Sequence, residues 1–311
     1  MRGLAKTALA LTALAACALG AGFSAASFTD NEQNPQAVSA VTDFLAPTAG
    51  ASVIAKSQGG ITGYIKAGGT YYVYANIIAD TGNPASGIAS VKADVSSITD
   101  KTTAVLSAGS YTIGGVSYNY RSAQLTADGT LKAGSKSYSL ILTDVAGNTS
   151  TPSFSVTADN GPFEGSDFAT GNVSGGTQGK PEKGDTVAFT FNKSPEPGSI
   201  VSGWDGSGTK SVTVSIEDKS SEDTLVVGGA TIGGVALKGN FTEGKTTTFT
   251  GSNMSLSGST VTVVLGTDSA GSAKTDTGKS KAAWTPSASV FDRAWNACST
   301  KSANGSDAKQ F

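Results

Sequence analysis

Apolar residues recur in this chain with a period of two, in short runs separated by Gly, Asp, Asn and Ser. In "TYYVYANIIAD" (Thr70 to Asp80), Val73, Ala75, Ile77 and Ala79 fall on one side of an extended chain, and Tyr72, Tyr74 and Asn76 on the other. Successive strand side chains point to opposite faces, so this pattern predicts a half-buried strand rather than a helix. The same alternation returns in Tyr138, Leu140 and Leu142, then Phe154 and Val156. Farther on it returns in Val187, Phe189 and Phe191, in Val212, Val214 and Ile216, and in Val261, Val263 and Leu265. Tyr118 and Tyr120 are also in phase, and Asp128-Gly129 reads as a turn. Gly (40) far exceeds Pro (9), and only 15% of residues are charged, too few for a disordered chain of this kind. The expected class is all-β with many turns.

Composition also narrows the chemistry. Histidine is absent, which removes Ser-His-Asp and Cys-His nucleophiles, His-ligated zinc and the usual general base near neutral pH. A net charge of −2 gives no nucleic-acid footprint. No stretch after the leader is apolar and long enough to span a bilayer.

The first residues read as a secretory signal peptide: Arg2 and Lys6 precede an apolar run, and Ser24 and Ala26 stand at −3 and −1 of a cut between Ala26 and Ser27. "LAAC" ending at Cys17 offers an alternative, lipidation of that cysteine at a cell surface. If the leader is removed at Ser27, Cys298 is the one thiol left, and no intrachain disulfide can form. "ASFTDNE" (Ala26 to Glu32) resembles the Ala-x-Phe-x-Asp start of mature camelysin/TasA-like proteins, which implies an exported chain. Residues 27–47 then form an extended segment, a candidate for strand donation to a neighbour.

Six or seven short strands over 48–158 match the size of an immunoglobulin-like sandwich. Leu131, Gly134, Tyr138, Asp144, Ala146, Gly147 and Asn148 resemble the closing stretch of bacterial Ig-like and fibronectin-III-like modules. The resemblance implies a tyrosine corner at Tyr138, its hydroxyl bonded to the backbone, and a tight hairpin at "DVAGN". Asp144 is read there as a turn residue that bonds backbone amides, rather than as a catalytic carboxylate or calcium ligand, and Gly147 and Asn148 suit positive φ. A linker is expected over 159–172, a second β-sandwich over 173–300 and a polar tail over 301–311. "GDTVAFTF" (Gly184 to Phe191) resembles the opening of other bacterial surface modules. "DRAWN" (Asp292 to Asn296) echoes "DVAGN", but Trp295 stands where Gly147 stands. A tryptophan adopts positive φ at a cost, so the second hairpin must differ in geometry or the echo is accidental.

The expected function is a non-enzymatic extracellular structural or adhesion module of a bacterial surface. Its partner would be a cell-wall or extracellular polysaccharide or protein, or further copies of itself. The alternative is a secreted glycan hydrolase using two carboxylates, or its carbohydrate-binding accessory. Tyr72, Tyr74 and Tyr118 are candidates for stacking on sugar rings. No cofactor is expected apart from calcium, for which Asp159, Asn160, Glu164 and Asp167 offer hard oxygen ligands in the linker.

Overall fold

A computed structural model describes residues 43–82, 85–220, 222–276, 280–305 and 311. The cleavage site at Ala26 and Ser27, and Cys17, lie outside them. The chain is nearly all β, folded as two curled sheets around separate cores.

The N-terminal sheet contains β1 (Thr48–Lys56), β2 (Tyr64–Ile65), β3 (Thr70–Ile78), β4 (Ile88–Asp94), β5 (Thr103–Ile113), β6 (Val116–Ser122), β7 (Leu125–Thr126), β8 (Gly134–Asp144), β9 (Thr149–Ser150) and β10 (Ser153–Ala158). Its order is β1-β3-β6-β5-β4-β8-β10-β2, with β7 added to β3 and β9 to β8. Strand β5 makes the curl: Thr103 to Val105 pair with β4, while Leu106 to Ile113 pair with β6. The two halves thus fold over one core, where Val73, Ala75, Ile77, Tyr138, Leu140, Leu142 and Val156 are all buried as the alternation marks them.

The outer face of β3 departs from that simple pattern. Tyr74 and Tyr118 are buried, packed with Ala55 in a small second cluster. Arg121 lies 4.8 Å over the Tyr72 ring and 4.6 Å over Tyr111. These tyrosines cover the sheet and stack on each other and on a guanidinium, so Tyr74 and Tyr118 are not free platforms for a sugar.

The second sheet contains β11 (Phe163–Gly171), β12 (Thr186–Phe191), a single helical turn α1 (Pro197–Ile200), β13 (Lys210–Glu217), β14 (Thr224–Gly228), β15 (Gly233–Ala236), β16 (Thr247–Ser257), β17 (Thr260–Val264), β18 (Thr267–Asp268), β19 (Ala283–Pro286), β20 (Cys298–Ser299) and β21 (Ala303–Asn304). The order is β20-β11-β12-β17-β16-β13-β14-β15-β19-β21, with β18 on β16. Trp284, fully buried, centres the core: its ring meets Phe189 and Phe191 edge-on at 5.2 and 4.9 Å, and its Nε1–H donates to the Ile232 carbonyl. Gly165 lies against that ring, where a Cβ would come within 2.7 Å of Cζ3.

Two boundaries differ from the sequence expectation. Most of the stretch read as a linker is strand β11, held by Phe163 and Phe168 in the core and by pairing with β12 and β20. The connection is therefore 159–162. The polar tail also belongs to the fold: β21 pairs with β19, and Phe311 is buried with its ring 5.4 Å from Phe241.

Cys298 is buried in β20, and burial pushes its thiol up to about 11. The thiolate is the reactive form, so the folded protein at pH 8 should react negligibly with a disulfide reagent. Labelling should become fast on unfolding in urea, measured by absorbance of the released thiol.

Candidate functional site at the junction between the sheets

The "DVAGN" turn sits at one end of β8. Asp144 N–H donates to the Asn148 carbonyl (3.1 Å) and Gly147 N–H to the Asp144 carbonyl (3.3 Å). With Gly147 at φ 94, this is a type I turn closed by a left-handed residue, a favoured three-residue hairpin loop. Asp144 is buried, and its two oxygens accept the Asn148 backbone N–H (2.7 Å) and side-chain amide (2.8 Å). Asn148 also donates to the Asp43 carbonyl, which pins the start of the unit. Asn148 itself takes no positive φ; it holds the turn through hydrogen bonds.

The "DRAWN" turn repeats these bonds. Asp292 N–H donates to the Asn296 carbonyl (3.0 Å) and Trp295 N–H to the Asp292 carbonyl (2.9 Å). The Asp292 carboxylate accepts Asn296 N–H (2.8 Å) and its side-chain amide (2.9 Å), and Asn296 donates to the Asp159 carbonyl. Trp295 does adopt φ 71. The expectation of a different hairpin or an accidental echo is overturned. Parallel stacking of Trp295 on Phe291 at 4.7 Å, with the turn's hydrogen bonds, offsets a left-handed strain of about 1–2 kcal/mol.

This second turn is set against the far end of the first unit. Gly134, at the opposite end of β8 from Asp144, pairs with Ala158 just before the connection. There Lys66 Nζ donates to the Trp295 carbonyl (2.7 Å), and Lys56 Nζ to the Arg293 carbonyl (2.7 Å). Lys56 also meets Glu196 at 3.5 Å, both side chains almost wholly buried. Glu196 Oε2 accepts the Ile61 N–H at 2.9 Å. Burial pushes the Lys56 ammonium down from its ordinary value, and the Glu196 carboxylate opposes that. Gly60 is needed here: at φ +83 its Cβ would lie 2.5 Å from the Glu196 carboxyl carbon. Beside this lock, Gln58, Gly60, Ile61, Glu196, Trp204, Asp205 and Trp295 help line an open cleft of ≈ 390 Å³.

The calcium site expected in the linker is not assembled. Asp159 pairs with Lys193 at 2.7 Å and accepts Gly161 N–H, while Asn160 bonds Ala67 N–H and the Leu131 carbonyl. Glu164 and Asp167 belong to β11. A lysine ammonium and the first unit's backbone hold what a cation was expected to hold. The carboxylates that do converge among the described residues are Asp43, Asp80 and Asp144, at the first unit's other end. Tyr138 stacks on Phe154 at 5.7 Å, but its hydroxyl meets Ser52 Oγ (3.0 Å), which in turn donates to the Tyr74 carbonyl. The corner thus reaches the backbone through a serine, and burial pushes the phenol up to about 12.

Gly147→Val should cost about 1–3 kcal/mol. No atom lies within 4 Å of the new Cβ, so the loss is backbone strain alone. Asp144→Asn should cost about 1 kcal/mol, the scale of a weakened turn hydrogen bond. Urea unfolding of both variants checks the order.

No protein-family model, curated protein or solved structure matches this chain.

Proposed function

We propose that the protein is an exported, non-catalytic pair of Ig-like β-sandwich modules, serving as a stiff spacer or binding element at a bacterial cell surface. The observation that carries this reading is the buried Lys56–Glu196 lock, with Lys66 and the Asp292–Asn296 turn seated on the first unit. Relative motion is the default for linked modules, and a buried ion pair with backbone hydrogen bonds across the junction opposes it. Two similar capped units in series also suit extension from a surface. Carbohydrate hydrolysis fits less well. Two carboxylates must flank the scissile bond with access to it, yet Glu196 in the cleft is 2% exposed and spent on Lys56 and Ile61.

The test combines location and chemistry. Protease shaving of intact cells should release the protein, its mature chain should begin at Ser27, and the purified chain should liberate no reducing ends from cell-wall glycan. Retention inside the cell with Met1 intact would overturn export. Glycan cleavage abolished by Glu196→Gln would overturn the non-catalytic reading.

A further inference from the structure

The ends that begin the two units are built alike, and at one matching position they carry opposite charge. In the second unit, Asp159 opens the unit, Asp292 opens the turn, and Lys193 stands two residues past the end of β12. Lys193 Nζ lies 2.7 Å from Asp159 Oδ1 and 3.6 Å from Asp292 Oδ2, and donates to the Gly161 carbonyl. In the first unit, Asp43 corresponds to Asp159: each side chain accepts the N–H two residues on, from Leu45 and Gly161, and each carbonyl accepts the turn asparagine's amide. Asp144 corresponds to Asp292. Two residues past the end of β3 stands Asp80, an acid where the second unit has its ammonium.

One carboxylate oxygen each of Asp43, Asp80 and Asp144 lies within 4.8 Å of the others. All three residues are at least nine-tenths buried. The Asp43 and Asp144 oxygens have backbone or amide donors, as does Asp80 Oδ1, which accepts Gly82 N–H. Asp80 Oδ2 is buried and has no hydrogen-bond partner. A buried polar atom with no partner is costly unless a hydrogen bond or a bound ion satisfies it.

We propose that Asp43, Asp80 and Asp144 form a Ca²⁺ site that does for the first unit what the Lys193 ammonium does for the second. The donors are hard oxygens. One oxygen from each lies within 4.8 Å of the others, close enough for all three to reach a single Ca²⁺ at 2.3–2.6 Å. Mg²⁺ demands near-ideal octahedral geometry and gives up its waters reluctantly, so a buried three-carboxylate pocket favours Ca²⁺. The ion ties Asp43, just ahead of β1, to the end of β3 and to the hairpin turn, closing the outer end of the first unit.

The test is calorimetric titration of the purified chain with CaCl₂ and with MgCl₂, and melting in each salt and in EDTA. Wild type should bind one Ca²⁺ with Kd on the order of 10⁻⁴–10⁻³ M, as extracellular modules do, and Mg²⁺ at least about tenfold more weakly. Saturating Ca²⁺ should raise Tm by about 5 °C or more over EDTA. Asp80→Lys copies the second unit: it should bind no Ca²⁺ and melt in EDTA above wild type in EDTA. Asp80→Asn, which keeps the size of the side chain, should weaken Ca²⁺ at least about tenfold. The proposal is overturned if wild type takes up no Ca²⁺ at 5 mM, or if either Asp80 variant binds it as wild type does.

Discussion

Replacing Lys56 by methionine is expected to destabilise the protein by about 3–5 kcal/mol, the cost of stranding a buried carboxylate. Glu196 would keep only the Ile61 N–H, inside a junction where its side chain is 2% exposed. Lys56 would also withdraw its donation to the Arg293 carbonyl across the junction. The pair itself has a smaller net worth, because two ions had to leave water to form it. The double variant Lys56→Met with Glu196→Leu should therefore recover most of the single variant's loss. Urea unfolding of the three proteins measures this directly. A loss under about 1 kcal/mol for Lys56→Met would mean that the pair is solvated, as exposed ion pairs are.

Asp292→Ala carries the second large effect, about 3–5 kcal/mol. The carboxylate accepts Ala294 N–H (2.9 Å), Asn296 N–H and the Asn296 amide, and lies 3.6 Å from Lys193. Each buried donor left without an acceptor costs about 1–3 kcal/mol, and the contributions are not additive because they share one turn. The loss should also spread across the junction. Asn296 would no longer hold the Asp159 carbonyl, and Asp159 N–H is bonded to the Ile65 carbonyl of the first unit. Amide exchange at Asp159 should accelerate with the second turn, while exchange in β4 and β8 stays slow. Protection unchanged at Asp159 would separate the turn from the junction.

The strand faces were legible in the sequence because alternation is a local property. Val187, Phe189 and Phe191 needed no partner to be read as one face, and all three are buried. The turn chemistry of Asp144 was legible for the same reason: its bonds close within five residues. Strand β11 was not. "FEGSDFATG" is rich in Gly, Ser and Asp, poor strand formers, and it is extended because β12 and β20 pair with it. Trp295 was misjudged because its strain is local, whereas what offsets it (the Phe291 ring and the turn's hydrogen bonds) shows only in the folded chain. The junction lay beyond local reading altogether: Ile61 and Glu196 are 135 residues apart. The Asp43–Asp80–Asp144 group was likewise out of reach, since its acids sit on three separate segments joined only by topology. Lys193, placed beside Asp159 and Asp292 at the end of β12, was not legible in the linker sequence, which offered only its acids.

We propose that the Lys56–Glu196 pair locks the two β units into one rigid body. ¹⁵N relaxation of backbone amides in both sheets measures it most directly. A single rotational diffusion tensor should fit β3, β8, β12 and β16 together in the wild type, and should split in Lys56→Met. Two independent tensors in the wild-type protein, one for each sheet, would contradict the account.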